Sequence, residues 1–448
     1  MPIIMKTEYL SPRACAVLAL AAALLAGPAA AAETEAVTYT LPQLVQRALS
    51  LSPPQRIAQA SVGLAESQRD TALAALLPQL GAGVSQTRQT TNPATLGFEF
   101  PGLPSLIGPY SVFDARVKLS QAVLDFARHS ELSGAGHAVE AARAEAEQSR
   151  ERIAAQVALS YIQVLAGEQA VEAARADLVL AEDLLTLARD QREAGVASGV
   201  DVARAQTAVA QDRYALSEAE TAIASSRLQL QRAAVLPMDA PLALGGQLEA
   251  SPAATPSAAQ ALDEARGHRA ELAAIEAALK QADAELRAAR QRRWPTLALF
   301  ADYGQSSRTP VRAEEDTYRY GASLELPLYS GGALRAGEDA ARLKLEQQRE
   351  RAEDLRQQVE QDVRLALATV QNTAEQVKAA TATRDLAGRE LELARDRFLH
   401  GVANNVDVVS AQASLARARS QHIAALAAYQ QARVNLAAAQ GRAHAFEL

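Results

Sequence analysis

Ala194-Gly195-Val196-Ala197-Ser198-Gly199-Val200-Asp201-Val202 returns, little changed, as His400-Gly401-Val402-Ala403-Asn404-Asn405-Val406-Asp407-Val408, about 206 positions later. Each copy is a short Gly/Asn-rich break between two long proline-free segments, so each reads as the tip of a helical hairpin. The same offset relates Arg189-Asp190 to Arg395-Asp396, Gln206 to Gln412, and Val157, Leu159 and Val164 to Val363, Leu365 and Val370. A looser match joins Leu77-Pro78-Gln79-Leu80 to Trp294-Pro295-Thr296-Leu297. The chain is a tandem duplication, each half carrying one long hairpin and one pair of short strands.

Moving outward from the tips, the ascending helices are expected over 127–194 and 332–399, each roughly 100 Å long at about 1.5 Å per residue. Helices of that length need neighbours along their whole length, and the sequence specifies them. Val157, Val164, Val171, Leu178 and Leu185 recur every seven residues, with Ser160, Gly167, Ala174, Ala181 and Ala188 three positions behind. The second half repeats this as Val363, Val370, Val377, Arg384 and Leu391, with Ala366, Thr373, Ala380, Ala387 and Ala394; only Arg384 departs. A seven-residue apolar repeat implies left-handed supercoiling, and small partner residues let backbones approach closely. A soluble coiled-coil rod would read the same way at this point.

The strands are what a rod does not explain. Leu80, Ala82 and Val84 alternate with Gly81, Gly83 and Ser85, and Phe113, Ala115, Val117 and Leu119 with Asp114, Arg116, Lys118 and Ser120. The second half has Leu297, Leu299, Ala301 and Tyr303 in one strand and Tyr318, Tyr320, Ala322, Leu324 and Leu326 in the next. Loops are expected over 91–110 and 305–316, and helices over 41–75, interrupted at Ser52-Pro53-Pro54, and 258–293, unbroken. Eleven of the eighteen aromatic residues fall between Phe98 and Phe126 or Trp294 and Tyr329. Alternating apolar and polar faces with aromatic girdles fit a membrane barrel, and Trp294 fits an interfacial anchor or a core filler. A soluble sheet would also alternate. Four strands cannot close a membrane barrel, which needs at least about eight, so closure would require several chains.

The N-terminus supports the membrane reading. Lys6 and Arg13 precede an apolar run from Ala14 to Ala26 and then Ala30-Ala31-Ala32, the order of a secretory signal over 1–32. Cys15, the only cysteine, lies too early in that run for a lipoprotein cleavage box, which argues against lipidation and leaves no disulfide in the mature chain. The formal net charge is −7 with both signs interspersed, so no nucleic-acid footprint is present.

In this order and duplicated spacing, the residues resemble the TolC family of outer-membrane efflux and secretion channels. The resemblance spans essentially the whole mature chain: the two halves, the Leu-Pro-x-Leu and Trp-Pro-x-Leu approaches to the strands, Leu324-Glu325-Leu326-Pro327-Leu328-Tyr329, and the Gly-Val-Ala…Val-Asp-Val tips. It implies a mainly α fold with a small β part: tandem long helical hairpins forming an α-helical barrel, and four strands per chain entering a trimeric twelve-stranded transmembrane barrel. The corresponding plan is a signal (1–32), periplasmic helices (33–78), a strand pair (79–126), a hairpin (127–236) and a linker (237–257). The second half follows with helices (258–294), a strand pair (295–330), a hairpin (331–441) and a C-terminal tail (442–448). The resemblance further implies a homotrimer in outer-membrane lipid that docks on a periplasmic adaptor and an inner-membrane RND or ABC transporter and passes cargo without energy of its own. Small-molecule efflux is the expected function. A duct for type I protein secretion and, in another class, a periplasmic coiled-coil structural protein are the alternatives.

On the same resemblance, Gly195, Val196 and Ala197 and Gly401, Val402 and Ala403 correspond to tip grooves that receive the adaptor. Gly at a helix break permits left-handed backbone, although ordinary C-capping glycines would satisfy the pattern too. Asp407 corresponds to an acidic ring at the periplasmic entrance, and Asp201 and Phe398 to links that hold the entrance shut. Helix N-capping is the alternative for both aspartates. Ala403 stands where the best-known members have an arginine link, Ser410 where a second acidic ring would be, and Phe398 in place of a tyrosine. The closed state is therefore expected to rest on packing more than on salt bridges.

No enzyme chemistry is legible. His129, His137, His268, His400, His422 and His444 have no metal-ligand spacing, Gly245-Gly246 and Ser330-Gly331-Gly332 lack a phosphate-binding context, and the carboxylates lie among arginines along helices. No cofactor is expected.

Overall fold

The computed structural model describes residues 38–97, 102, 104–249, 256–310, 315–400, 402 and 405–448. The expected signal, Gly401 and Ala403 lie outside them. Strand β1 (Thr38–Tyr39) leads into α1 (Leu41–Leu51) and α2 (Pro53–Ala74), then β2 (Gln79–Thr91) and β3 (Ile107–Leu124). The first hairpin is α3 (Phe126–Glu193) and α4 (Gly199–Ala233), followed by β4 (Ala243–Leu244). The second half runs α5 (Ala258–His268), α6 (Ala270–Gln291), β5 (Thr296–Ser307), β6 (Glu315–Glu325), α7 (Ala333–Leu399) and α8 (Asn405–Ala439). The two long helices, 68 and 67 residues, lie within a residue of their expected bounds.

Helix α3 is the spine. Its first part packs on α2 and α6, and its second part on α4 and α8, while α7 flanks α6 and then α8. The seven-residue register is what is buried: Val157, Val164, Val171 and Leu185 on α3, and Val363, Val370, Val377 and Leu391 on α7, with Ser160, Ala181, Ala188, Ala366, Thr373, Ala380 and Ala387 buried beside them. The small positions let the helices come together: a Cβ at Gly167 would stand 3.3 Å from the Ile223 side chain of α4. Arg384, the exception, turns to the surface and pairs with Asp385 at 2.8 Å.

The largest core lies midway along the hairpins, where α1, α3, α5, α7, α8 and the C-terminal turn meet. There β1 and β4 pair in parallel. Tyr161 of α3 is fully buried and donates to the backbone oxygen of Gly245 just after β4. The stretch expected as a plain linker is thus partly pinned, and so is the tail: the Ala443 N–H donates to Glu151 Oε2 at 2.6 Å.

Three expectations need correction. The 258–293 segment is two helices, broken at Arg269, whose backbone is extended. No proline announces this break, unlike Ser52-Pro53. The cause is tertiary: Gly441 packs so closely on His268 and Arg269 that a Cβ there would sit 2.7 Å from the His268 carbonyl oxygen, while Arg269 pairs with Asp362 and Glu271, both at 3.0 Å. The loops at 91–110 and 305–316 are also shorter than expected. Strand pairing extends to Ile107, which meets Thr91, and to Ser307, which meets Phe113 of β3; Tyr110 bonds Thr91 at 2.6 Å across β2–β3, and Tyr303 bonds Asp316 at 2.7 Å across β5–β6.

The four long strands form one antiparallel sheet in the order β2-β3-β5-β6. Its register places Leu80, Leu119, Ala301 and Tyr320 side by side, and Ala82, Val117, Tyr303 and Tyr318 in the next row. One face is therefore apolar, and these side chains are largely exposed, as Leu80, Val84, Tyr318, Tyr320 and Leu324 show. The opposite face carries Asp114, Arg116, Lys118, Asp302 and Arg319. Both β2 and β6 leave an edge unpaired. Trp294 fills no core; it is 48% exposed and meets Phe126 edge-on at 5.0 Å, where strands give way to helices.

Candidate functional site

The hairpin tips are built by helix-end chemistry. Helix α3 ends in a left-handed Gly195 with φ 76°. The Val196 N–H reaches back to the Gln191 carbonyl at 2.8 Å and the Gly195 N–H to Arg192 at 3.0 Å, satisfying carbonyls that a helix end leaves open. The second tip repeats the longer bond, from the Val402 N–H to the Arg397 carbonyl at 2.9 Å. No atom lies within 4 Å of a Cβ built on Gly195. Gly195→Ala is therefore expected to cost about 1 kcal/mol through backbone strain alone, without a clash. Faster hydrogen exchange at the Val196 amide, with the α3 interior unchanged, checks this.

Asp201 is not the N-cap. Ser198 holds that position, and Asp201, three residues on, accepts from the Ser198 N–H at 2.9 Å and its hydroxyl at 2.6 Å, with Arg204 at 3.5 Å. These donors, Ser198 first, hold the Asp201 carboxyl below the usual range. Asp407 occupies the matching place in the first turn of α8 and is exposed. Phe398 is buried against Leu391, Val408, Ala411 and Leu415, with Leu184 of the first hairpin in the same cluster. Around them Val196, Val200, Val402 and Leu399 are exposed apolar side chains, a surface unlike the ion-paired helix faces above it.

The link between the tips comes from a residue that the sequence reading did not single out. Asn405, only 2% exposed, donates its Nδ2 to the Asp201 backbone carbonyl at 3.0 Å. Asp201 thus does accept a bond from the second hairpin, but through its backbone; its side chain is committed to its own helix. Further up, Gln412 Nε2 donates to Asp212 Oδ2 at 3.0 Å, and Arg419 pairs with Asp177. This polar cluster spans α3, α4 and α8 and fastens one hairpin to the other. Burial pushes the Asp177 carboxyl up even against Arg419, and burial together with the Asp177 charge pushes Asp212 up. Part of a signal was available: at the duplicated offset Asn405 faces Gly199, Asp177 faces Thr383 and Asp212 faces Ala418, whereas Gln412 and Arg419 face their like in Gln206 and Arg213.

The two groups respond oppositely to pH. The lowered Asp201 value means that its cap is complete above the ordinary carboxylate range and is lost as pH falls through the folded-state value. The raised Asp177 and Asp212 values mean that their contribution is fully present below the ordinary range and is lost as pH rises through the folded-state values. Acidification from neutrality to about pH 4 is expected to slow exchange around Gln412, after correction for intrinsic rates, while exchange at the Val200–Val202 amides speeds up only on further acidification below the ordinary carboxylate range. Asp212→Asn is expected to stabilise that seam at neutral pH. The same exchange measurement decides both.

Among the described residues, no group of three or more His, Cys, Asp or Glu is placed to hold a metal ion. No described helix is long and apolar enough to cross a membrane.

The chain thus consists of duplicated helical hairpins joined at one end to an open four-stranded sheet with an exposed apolar face. The chain belongs to the outer membrane efflux protein family, whose profile matches residues 44–234 and 261–442. It is 28% identical over 357 residues to the probable efflux pump outer membrane protein SepC of Pseudomonas putida, covering 78% of this chain and 72% of that protein. To the pyoverdine export outer membrane protein OpmQ of Pseudomonas aeruginosa it is 27% identical over 407 residues, covering 90% and 85%. The fold matches the Campylobacter jejuni CmeC outer membrane channel with a TM-score of 0.78 at 17% identity, covering 90% of this chain and 86% of that one. For VceC of Vibrio cholerae the TM-score is 0.77 at 19% identity, covering 90% and 96%. The protein is an outer-membrane efflux component, and members of its family are channels, not enzymes.

Proposed function

We propose that three copies form a passive duct that carries small molecules from an inner-membrane pump and periplasmic adaptor to the cell exterior. The observation that carries this is the sheet. Its apolar face is exposed and both edges are unpaired, a state that lipid does not tolerate because unbonded backbone groups there cost several kcal/mol each. Joining β6 of one copy to β2 of the next removes every edge, and three sets of four strands give twelve, within the range of membrane barrels. The same operation sets α7 of one copy beside α4 of the next and closes the helices into a tunnel. A signal over 1–32 would deliver the chain unlipidated, and Trp294 would mark the inner interface.

At the entrance, Asp407 from three copies forms an acidic ring, and Phe398 packing with the Asn405–Asp201 bond holds it shut. Gly195, Val196, Ala197, Gly401, Val402 and Ala403 receive the adaptor's hairpin. The names of the relatives, which include toluene and antibiotic efflux pumps, support small organic cargo over protein. A photo-crosslinker at Ala197 or Val402 in intact cells is expected to capture a periplasmic adaptor. Well-expressed probes that capture only peptidoglycan or lipid would remove the docking claim.

A further inference from the structure

The polar face of the sheet carries a charge arrangement that channel closure alone does not require. Arg116 of β3 grips Asp114 through two bonds of 2.8 Å, reaches Thr317 at 3.2 Å and pairs with Asp302 of β5. Arg319 of β6 holds the other oxygen of Asp302 at 2.9 Å and lies over the Phe300 ring, 5.4 Å from its centroid. Lys118, opposite Asp302 in the register, is exposed on the same face. In the Lys118–Asp302–Arg319 row two cations against one carboxylate leave one positive charge per chain, while Arg116, one polar row on, is met by Asp114 and Glu315 in the row beyond it.

Exposure makes the imbalance larger than the count. The Asp302 side chain is 4% exposed and the Arg319 side chain 73%. Asp302 lies beneath the bases of its row, so the surface that row offers to a passing solute is cationic; Asp114, 29% exposed against 21% for Arg116, is not covered in this way. Glycines keep the belt low: a Cβ at Gly321 would stand 2.9 Å from the Phe300 ring, and one at Gly304 would collide with Arg116. Glu315 and Glu325 share the face but sit roughly 13 and 20 Å along the strand from Arg319, at about 3.4 Å per residue. Both distances exceed the screening length of about 8 Å at physiological salt.

We propose that Lys118 and Arg319, with Arg116 behind them, form an anion-selecting belt in the lumen of the outer-membrane barrel, repeated threefold, which concentrates and passes solutes bearing carboxylate or sulfonate groups. This rests on the barrel reading above, in which the polar face lines the lumen. A fixed ring of one sign in a confined pore raises the local concentration of counter-ions.

The chain's only cysteine is Cys15, so an introduced thiol can be followed alone once Cys15 is replaced. Ser323→Cys lies on the polar face beyond the belt as seen from the Glu315 end of β6, and Tyr320→Cys lies on the apolar face. Whole cells are treated from outside with a sulfonate and a trimethylammonium methanethiosulfonate reagent, and the two labelling rates are compared. The expected result is a sulfonate preference at Ser323→Cys that falls at least about threefold in Arg319→Gln or in Lys118→Gln. It should survive in Arg319→Lys and vanish in 1 M salt, where the screening length is about 3 Å. Labelling of Ser323→Cys with a rate ratio indifferent to Lys118 and Arg319 overturns the belt and leaves the barrel standing. Labelling of Tyr320→Cys while Ser323→Cys stays inert overturns the face assignment, and both readings with it.

Discussion

Tyr161→Ala is expected to destabilise the subunit by about 3–5 kcal/mol, as for truncation of a large buried aromatic that leaves a cavity. Tyr161 is fully buried at the point where α3 passes the β1–β4 pair, and its hydroxyl donates to the Gly245 carbonyl, with the Tyr39 carbonyl 3.3 Å away. It therefore ties the longest helix to both connecting segments. Tyr161→Phe keeps the ring and removes only the hydroxyl, at a cost of about 1–2 kcal/mol. Yield of detergent-extracted assembly and its thermal dissociation should fall in the order wild type, Phe, Ala. Equal behaviour of all three would show that the mid-hairpin core does not limit assembly.

The second large effect is expected at Arg419. Arg419→Met leaves Asp177 buried between α3, α4 and α8 beside the Asp212 charge, with its ion partner gone. Breaking such a pair costs about 3–5 kcal/mol, and the low end applies because a third of the Arg419 side chain reaches solvent. Hydrogen exchange in the adjoining turns of α8 should accelerate about a hundredfold, since tenfold corresponds to about 1.4 kcal/mol. The double variant Asp177→Leu/Arg419→Met removes both charges and should recover most of the protection, because the loss comes from the stranded carboxylate rather than from the missing bond. Failure of the double variant to recover would mean that Arg419 acts by packing alone.

The seam is also where sequence reasoning stopped short. The sequence marks one acidic residue in each tip, and Asp201 and Asp407 occupy matching first turns. The hairpins are joined, however, by Asn405, Gln412, Asp177, Asp212 and Arg419, residues far apart in the chain and individually ordinary on a helix surface. Nothing local distinguishes a buried Asp177 from an exposed Asp183. Burial is a property of the neighbour, and the neighbour of α3 here is α8, more than two hundred residues away.

The sequence by itself determined the duplication, the bounds of the long helices, the buried register along them and the two faces of the strands. All are periodic signals, set by the 3.6-residue and two-residue repeats of the backbone, so they can be read without knowing what packs where. Tertiary structure alone decided the break at Arg269, the docking of the linker and tail, the reach of the strands to Ile107 and Ser307, and the polar fastening of one hairpin to the other. Each of these rests on a contact between distant segments, such as Gly441 on His268 or Arg419 on Asp177. Their energies belong to the pair and are written in neither segment alone.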